Sequence, residues 1–272
     1  MHVGFIGLGS QGGPMAGRII DAGFPTTLWA RKPASLEPFA GTAAKVAGSP
    51  AELAAASDLV CLCVVGDADV EEVATGENGV LTGLKPGGVI AVHSTVHPRT
   101  IHALAEKAAA QSVSLIDAPV SGGAPAVEER RLLVMVGGDA DVVERCRPVF
   151  ESYADPIVHV GDLGSGQTTK LLNNLLFTAN LGTAASTLAL GEALGVSPER
   201  LTEVISRGSG NSFGLGVLGG DTAGLDRLGG LAGTLLRKDV RLVADLTDSA
   251  HVPGGAVLDA ADATLSLMKH PR

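Results

Sequence analysis

The chain has 272 residues, enough for one large domain or two of ordinary size, and 45% of them are hydrophobic, so a sizeable core is expected and disorder is not. A formal net charge of −9 argues against a nucleic-acid partner, because neutralising phosphates needs a basic face. With one Trp, one Tyr and six Phe, the core must be built from aliphatic side chains.

The first half alternates between two kinds of segment. Short β-rich runs occur at Val3–Ile6, Thr26–Trp29, 59–65, 89–93 and Ser114–Asp117. Ala-rich helical stretches separate them at 14–22, 51–56 and 99–110. The run Leu132–Gly137, a helix over Ala140–Phe150 and a strand over 157–160 continue the pattern. Strands alternating with helices imply βαβ units on a parallel sheet, a doubly wound α/β fold of the Rossmann type. After residue 160 the β signal stops. One long helix is predicted over 167–194, with Lys170, Asn174, Leu181 and Leu188 at helical spacings, and further helices over 198–206, 235–246 and 257–268. The expected organisation is a dinucleotide-type domain over residues 1–162 and an all-α domain over 163–272, divided in the turn 161–166. Glycine is dense over 208–233, which predicts a flexible connection between helices; the alternative is a loop that moves over the active site.

Cys61 and Cys63 sit in the apolar run 59–65, and with Cys146 they make an odd count without metal-ligand spacing. They read as small buried hydrophobes in a reducing compartment, and no metal is predicted. The N-terminus lacks a basic leader and a cleavage pattern, and no run approaches the ~18 apolar residues of a membrane span. A cytoplasmic protein, independent of membranes, is expected.

Strand Val3–Ile6 runs into Gly7-Leu8-Gly9-Ser10-Gln11-Gly12, and a helix follows. In that setting the glycines suit a tight turn, a close approach of backbone to a pyrophosphate, and close packing of helix on strand. The second strand ends in Ala30-Arg31-Lys32, where an NAD site would place a carboxylate for the ribose hydroxyls. Two cations there suit the 2′-phosphate of NADP, so NADP(H) is preferred over NAD(H); the alternative for Arg31 is a solvated surface charge. Val64, late in the third apolar run, is a further expected cofactor contact.

Further motifs resemble the β-hydroxyacid dehydrogenase family, which includes 3-hydroxyisobutyrate dehydrogenases and reductases of tartronate, glyoxylate and succinic semialdehyde. Phe5 to Gly9 with Gly12, Pro14, Met15 and Ala16 is similar to its cofactor signature, and Asp117-Ala118-Pro119-Val120-Ser121-Gly122-Gly123 to its substrate signature. Gly164-Ser165-Gly166 with Lys170, Asn173 and Asn174 is similar to its catalytic signature, and Lys238-Asp239 to a later pair. The resemblance implies a substrate carboxylate at Ser121, Gly122 and Gly123, where consecutive glycines free backbone N–H groups for an anion. It implies Lys170 as general acid/base with Asn174 orienting it or the substrate oxygen, and Asn173 beside them. Thr95, after Ser94, would touch substrate and nicotinamide. Lys238 would reach cofactor or substrate, an ion pair with Asp239 being the alternative. His93 and His97 flank the Thr95 loop and are weighed as acid/base candidates, to which the resemblance assigns no role.

Two departures stand out. Gln11 replaces a usual Met, and Arg130 stands where the family has Gly, within Glu128-Glu129-Arg130-Arg131. The second bears on which substrate is used. The expected function is therefore NADP(H)-linked interconversion of a short β-hydroxy acid and its semialdehyde or keto partner, by a homodimer or homotetramer. Imine reduction and a non-catalytic NADP-binding scaffold are the competing readings.

Overall fold

The structure is a computed structural model that describes residues 1–219, 221 and 224–272. It forms two compact units, Met1–Lys170 and Leu171–Arg272.

The first unit is built on a nine-stranded sheet. In chain order its elements are β1 (Val3–Ile6), α1 (Gly12–Asp21), β2 (Thr26–Trp29), β3 (Lys45–Val46), α2 (Pro50–Ala55), β4 (Leu59–Leu62), α3 (Asp67–Thr75), α4 (Val80–Gly83) and β5 (Val89–Val92). There follow α5 (Pro98–Ala109), β6 (Ser114–Asp117), β7 (Val120–Ser121), α6 (Gly123–Glu128), β8 (Leu132–Gly137), α7 (Ala140–Phe150) and β9 (Ala154–Gly161). The strand order is β3-β2-β1-β4-β5-β6-β8-β7, with β9 beside β8. Strands β3 through β6 run parallel, whereas β8 is antiparallel to both β6 and β7.

Both faces of the central strands are buried, so they read as continuous apolar runs and still sort their side chains with period two. Phe5, Leu59, Cys61, Val89 and Ala91 point into a core shared with Met15 and Ile19 of α1 and Val143, Val149 and Phe150 of α7. Ile6, Val60, Leu62, Ile90 and Val92 point the other way, onto Leu53, Val70, Val73, Ile101 and Leu104 of α2, α3 and α5. The order reverses direction between β1 and β4, and that switch point is where doubly wound sheets open a crevice beyond their strand ends.

Helix α8 (Ser165–Ala193) begins in the first unit and continues into the second, which adds α9 (Pro198–Ile205), α10 (Phe213–Leu218), α11 (Gly224–Ala250) and α12 (Gly255–Leu267). Its core joins Leu175 and Leu181 of α8 to Leu236, Val240 and Val243 of α11 and Leu265 of α12. A Cβ added to Gly182 would lie 2.0 Å from Thr264 Oγ1, so glycine is what lets α8 and α12 approach.

The glycine-dense stretch 208–233 corrects the expectation of a flexible connection. Apart from Gly220, Thr222 and Ala223, which lie outside the described residues, much of it is helical, in α10 and the start of α11. Its glycines serve close packing: a Cβ on Gly229 would sit 2.9 Å from the Met268 carbonyl oxygen, and one on Gly233 would sit 2.3 Å from the His270 ring. No helix among the described residues is long and apolar enough to cross a membrane. The three cysteines are free thiols, and burial pushes Cys63 and Cys146 up to about 12 and Cys61 well above the usual thiol range.

Candidate active site

The turn after β1 is shaped by its glycines. Gly7 adopts φ +99°, and a Cβ there would lie 2.1 Å from the Cys63 carbonyl oxygen, so only glycine fits the junction of β1 with the end of β4. A Cβ on Gly12 would meet the Gly7 carbonyl oxygen at 2.0 Å, whereas one on Gly9 would meet nothing within 4 Å. Gly9 is thus the point where backbone stands open to a bulky guest, while Gly7 and Gly12 hold the turn tight. Ser10 is exposed, and Gln11 precedes α1 with its side-chain amide 3.5 Å from Met15 Sδ.

Beside this turn lies a cleft of about 300 Å³ lined by Gly7, Leu8, Gly9, Val64, Arg31 and Lys32 together with Ile6, Trp29 and Asp69. The lining fits a dinucleotide: an open backbone at Gly9, apolar walls and two cations at one end. Val64 is fixed through its backbone, whose N–H donates to Ser94 Oγ at 2.8 Å. The carboxylate missing from the end of β2 is supplied from α3, because Asp69 enters the same cleft and its Oδ1 lies 2.6 Å from Arg31 Nη2. Arg31 is a largely exposed cation held in an ion pair at the rim of the cleft. Reading only the strand end missed Asp69, which reaches Arg31 from 38 residues away in the chain.

At the other end of the sheet, Ser121 closes β7, and Gly122 and Gly123 follow with φ +130° and +71°. Both glycines are exposed and Ser121 half-buried. Neither glycine carries a side chain to shield its backbone N–H, and both positive-φ conformations favour glycine. Arg130 takes φ +54°, the left-handed conformation that favours glycine, which gives the physical sense of the glycine expected there. The loop is tied down by Arg18 donating to the Glu128 carbonyl oxygen and by an Arg131–Glu129 ion pair.

The start of α8 is held by Asp117, fully buried at the end of β6. Its Oδ1 accepts the Gly164 N–H and its Oδ2 the Gln167 N–H, each at 2.7 Å, so one carboxylate caps the helix N-terminus with both oxygens. Burial pushes this carboxyl above its usual range, against the opposing pull of those N–H groups. Gln167, also fully buried, grips the Thr95 loop on both sides: its Nε2 donates to the Ser94 carbonyl at 2.8 Å, and its Oε1 accepts the Val96 N–H at 3.0 Å. Lys170, one helical turn later, is buried at 8% exposure. Sequence reasoning gave Asp117 only motif membership and missed Gln167. Neither was legible locally, because Asp117 meets the Gly164 and Gln167 N–H groups across 47 and 50 residues of chain.

In the second unit, Asn174 Nδ2 donates to Asp239 Oδ2 at 2.6 Å, and Lys238 Nζ pairs with Asp239 Oδ1 at 2.9 Å. Asn173, exposed, donates to Asn174 Oδ1 at 3.1 Å. Asp239 is thus the buried hub of this set, and the expected Lys238–Asp239 ion pair is present.

The two histidines have structural work. His93 lies in the core, with Nδ1 2.7 Å from the Ala118 carbonyl oxygen and Nε2 3.3 Å from the Tyr153 hydroxyl, and burial lowers its pKa to about 4. His97 caps α5 through Nδ1, which accepts the Arg99 N–H at 3.0 Å.

Comparison with known proteins now decides the family. Residues 2–161 match the NAD-binding domain of 6-phosphogluconate dehydrogenase, and residues 164–269 match the NAD-binding domain of NADP-dependent 3-hydroxyisobutyrate dehydrogenase. The 2-(hydroxymethyl)glutarate dehydrogenase of Eubacterium barkeri is 34% identical over 93% of this chain and 84% of its own. The chain belongs to the β-hydroxyacid dehydrogenase family. The mitochondrial 3-hydroxyisobutyrate dehydrogenase of Mus musculus is 32% identical over 92% of this chain and 77% of its own. The solved Mycobacterium tuberculosis 3-hydroxyisobutyrate dehydrogenase with L-serine superposes with a TM-score of 0.88 at 27% identity, covering 99% of this chain and 94% of the other. This family member is an NAD(P)-dependent oxidoreductase acting on CH–OH groups.

Proposed function

We propose that the chain interconverts a short β-hydroxy acid and its semialdehyde or keto partner, using NADP(H) in preference to NAD(H), with Lys170 as general acid/base. The observation that carries this is the burial of Lys170 at the anchored start of α8, in the same compact unit as the nucleotide cleft, the Thr95 loop and the Ser121–Gly123 turn. The relatives named for 2-(hydroxymethyl)glutarate and 3-hydroxyisobutyrate act on acids of this size, which supports the substrate class.

When bound, the nicotinamide supplies or accepts the hydride. Gly7 through Gly12 receive the pyrophosphate, Val64 and Thr95 border the nicotinamide, and Arg31 and Lys32 take the 2′-phosphate. Ser121 Oγ and the N–H groups of Gly122 and Gly123 bind the substrate carboxylate. In reduction Lys170 Nζ gives a proton to the carbonyl oxygen; in oxidation the neutral amine takes the hydroxyl proton. Asn174 orients Lys170 or the substrate oxygen, Asn173 binds substrate beside it, and Lys238 serves the cofactor or the substrate. The enzyme works in the cytoplasm as a homodimer or homotetramer, independent of nucleic acid and membranes. Exposed Leu231 and Leu235, one turn apart on α11, supply apolar surface for that self-association.

The test follows nicotinamide absorbance with NADPH or NADH and glyoxylate, succinic semialdehyde or methylmalonate semialdehyde, with Lys170→Ala alongside. Consumption by the wild type, and a fall of about 10²-fold or more in kcat for the variant with cofactor affinity retained, is expected. A wild type that binds cofactor and reduces none of them, or a variant of full rate, overturns the assignment. Light scattering that returns a monomer mass overturns the assembly.

A further inference from the structure

The cation at the end of β2 is already engaged. Arg31 Nη2 lies 2.6 Å from Asp69 Oδ1 and 3.3 Å from Glu72 Oε2, two carboxylates one turn apart on α3. Asp69 lines the nucleotide cleft together with Arg31, and Glu72 lines an adjoining hollow of about 270 Å³ that also includes Arg31 and Trp29. The end of the cleft is thus of mixed sign.

We propose that Asp69, seconded by Glu72, sets the discrimination between NADP and NAD by competing for Arg31. This rests on the reading above that the cleft takes the cofactor and that Arg31 meets its 2′-phosphate. A 2′-phosphate must draw Nη2 away from two acceptors and tolerate a carboxylate beside it. A ribose 2′-hydroxyl meets the opposite situation, since Asp69 is an acceptor for it and Arg31 can stay paired. The arrangement narrows the advantage that two cations would otherwise give NADP.

Calorimetric titration with NADP, NAD, ADP-ribose and 2′-phospho-ADP-ribose tests this without turnover. Wild type binds the phosphorylated and plain ligands within about tenfold of each other. Because exposed ion pairs are worth up to about one fivefold factor, Asp69→Asn tightens the 2′-phosphorylated ligands about fivefold and leaves or weakens the plain ones. Glu72→Gln moves them the same way by less, and Arg31→Ala weakens only the phosphorylated ligands. An Asp69→Asn protein whose NADP-to-NAD ratio equals that of the wild type overturns the proposal. If Arg31→Ala leaves NADP affinity intact, this inference falls while the oxidoreductase assignment stands. A wild type that binds none of the four ligands removes both.

Discussion

Lowering the pH should destabilise the first unit through one side chain, His93. Its imidazole is packed against Phe5, with ring centroids 6.4 Å apart, and edge-on to Phe150 at 5.5 Å. A carbonyl oxygen only accepts, so Nδ1 carries the proton and donates to Ala118, leaving Nε2 to accept from the Tyr153 hydroxyl. A second proton would bring an uncompensated charge into an apolar core, and the pKa falls from 6.5 to about 4. The folded state therefore binds fewer protons than the unfolded chain between those values, and stability declines as the pH drops through the window. Above 6.5 nothing is lost; near pH 4 the loss reaches about 3 kcal/mol, at roughly 1.4 kcal/mol for each pKa unit. That is a large share of the ~5–15 kcal/mol typical of a domain. Asp117 acts in the opposite sense just above pH 3.8, because burial raises its pKa and the folded state there holds the extra proton. The comparison must accordingly be made between wild type and His93→Gln, which keeps a donor for Ala118. Trp29, the one tryptophan, lies in β2 and reports unfolding of this unit in urea. The variant is less stable at pH 7.5, and its deficit shrinks by about 2–3 kcal/mol by pH 4.5. Parallel stability curves for the two proteins would refute the account.

Arg130→Gly should raise the stability of the first unit by about 0.5–1 kcal/mol by releasing the left-handed backbone, and Arg130→Ala should not; equal melting shifts for both would show that the conformation is not the cause. Asp117→Asn retains one acceptor for two N–H groups and sets an amide against the other, a cost of about 1–3 kcal/mol at the start of α8. Its kcat should fall while the Kd for NADP, read by fluorescence quenching, changes little. Gly182→Ala should cost about 1–3 kcal/mol in denaturant unfolding of the second unit, because its Cβ would land 2.0 Å from Thr264 Oγ1; Thr264→Ala should relieve part of that cost.

Much of the first unit was legible because a doubly wound sheet writes itself in runs buried on both faces. The expected spans of β1, β2, β6 and β8 coincide with the observed ones, and α1, α2 and α5 differ by no more than two residues at either end. Two-residue strands such as β3 and β7 carry no periodic signal, and α10 was hidden by its glycines. Glycine density was misleading for a physical reason: the residue that loosens a free chain is also the one that lets a helix take a close neighbour, as Gly233 of α11 does against His270. The cofactor turn was legible because its requirement is local, a backbone that must bend at Gly7. Asp69 was not, because its meeting with Arg31 depends on α3 folding back over the end of β2, across 38 residues of chain.

The same distinction explains where the first unit ends. A helix of 29 residues that starts there and runs on into the second unit reads from the sequence as part of the all-α half, yet its first turn clusters with the sheet. Asp117 takes two of its N–H groups, and Gln167 returns two bonds to the backbone on either side of Thr95. Buried bonds of this kind are costly to break singly, since each leaves an unpaired polar group in the core. Ser94 extends the chain of contacts to Val64 in the nucleotide cleft. Lys170 therefore keeps its register with the Thr95 loop and the cleft through unit one alone, whatever the remainder of α8 does. The polar set around Asp239 has its own anchors, Asn174 Nδ2 on one carboxylate oxygen and Lys238 Nζ on the other.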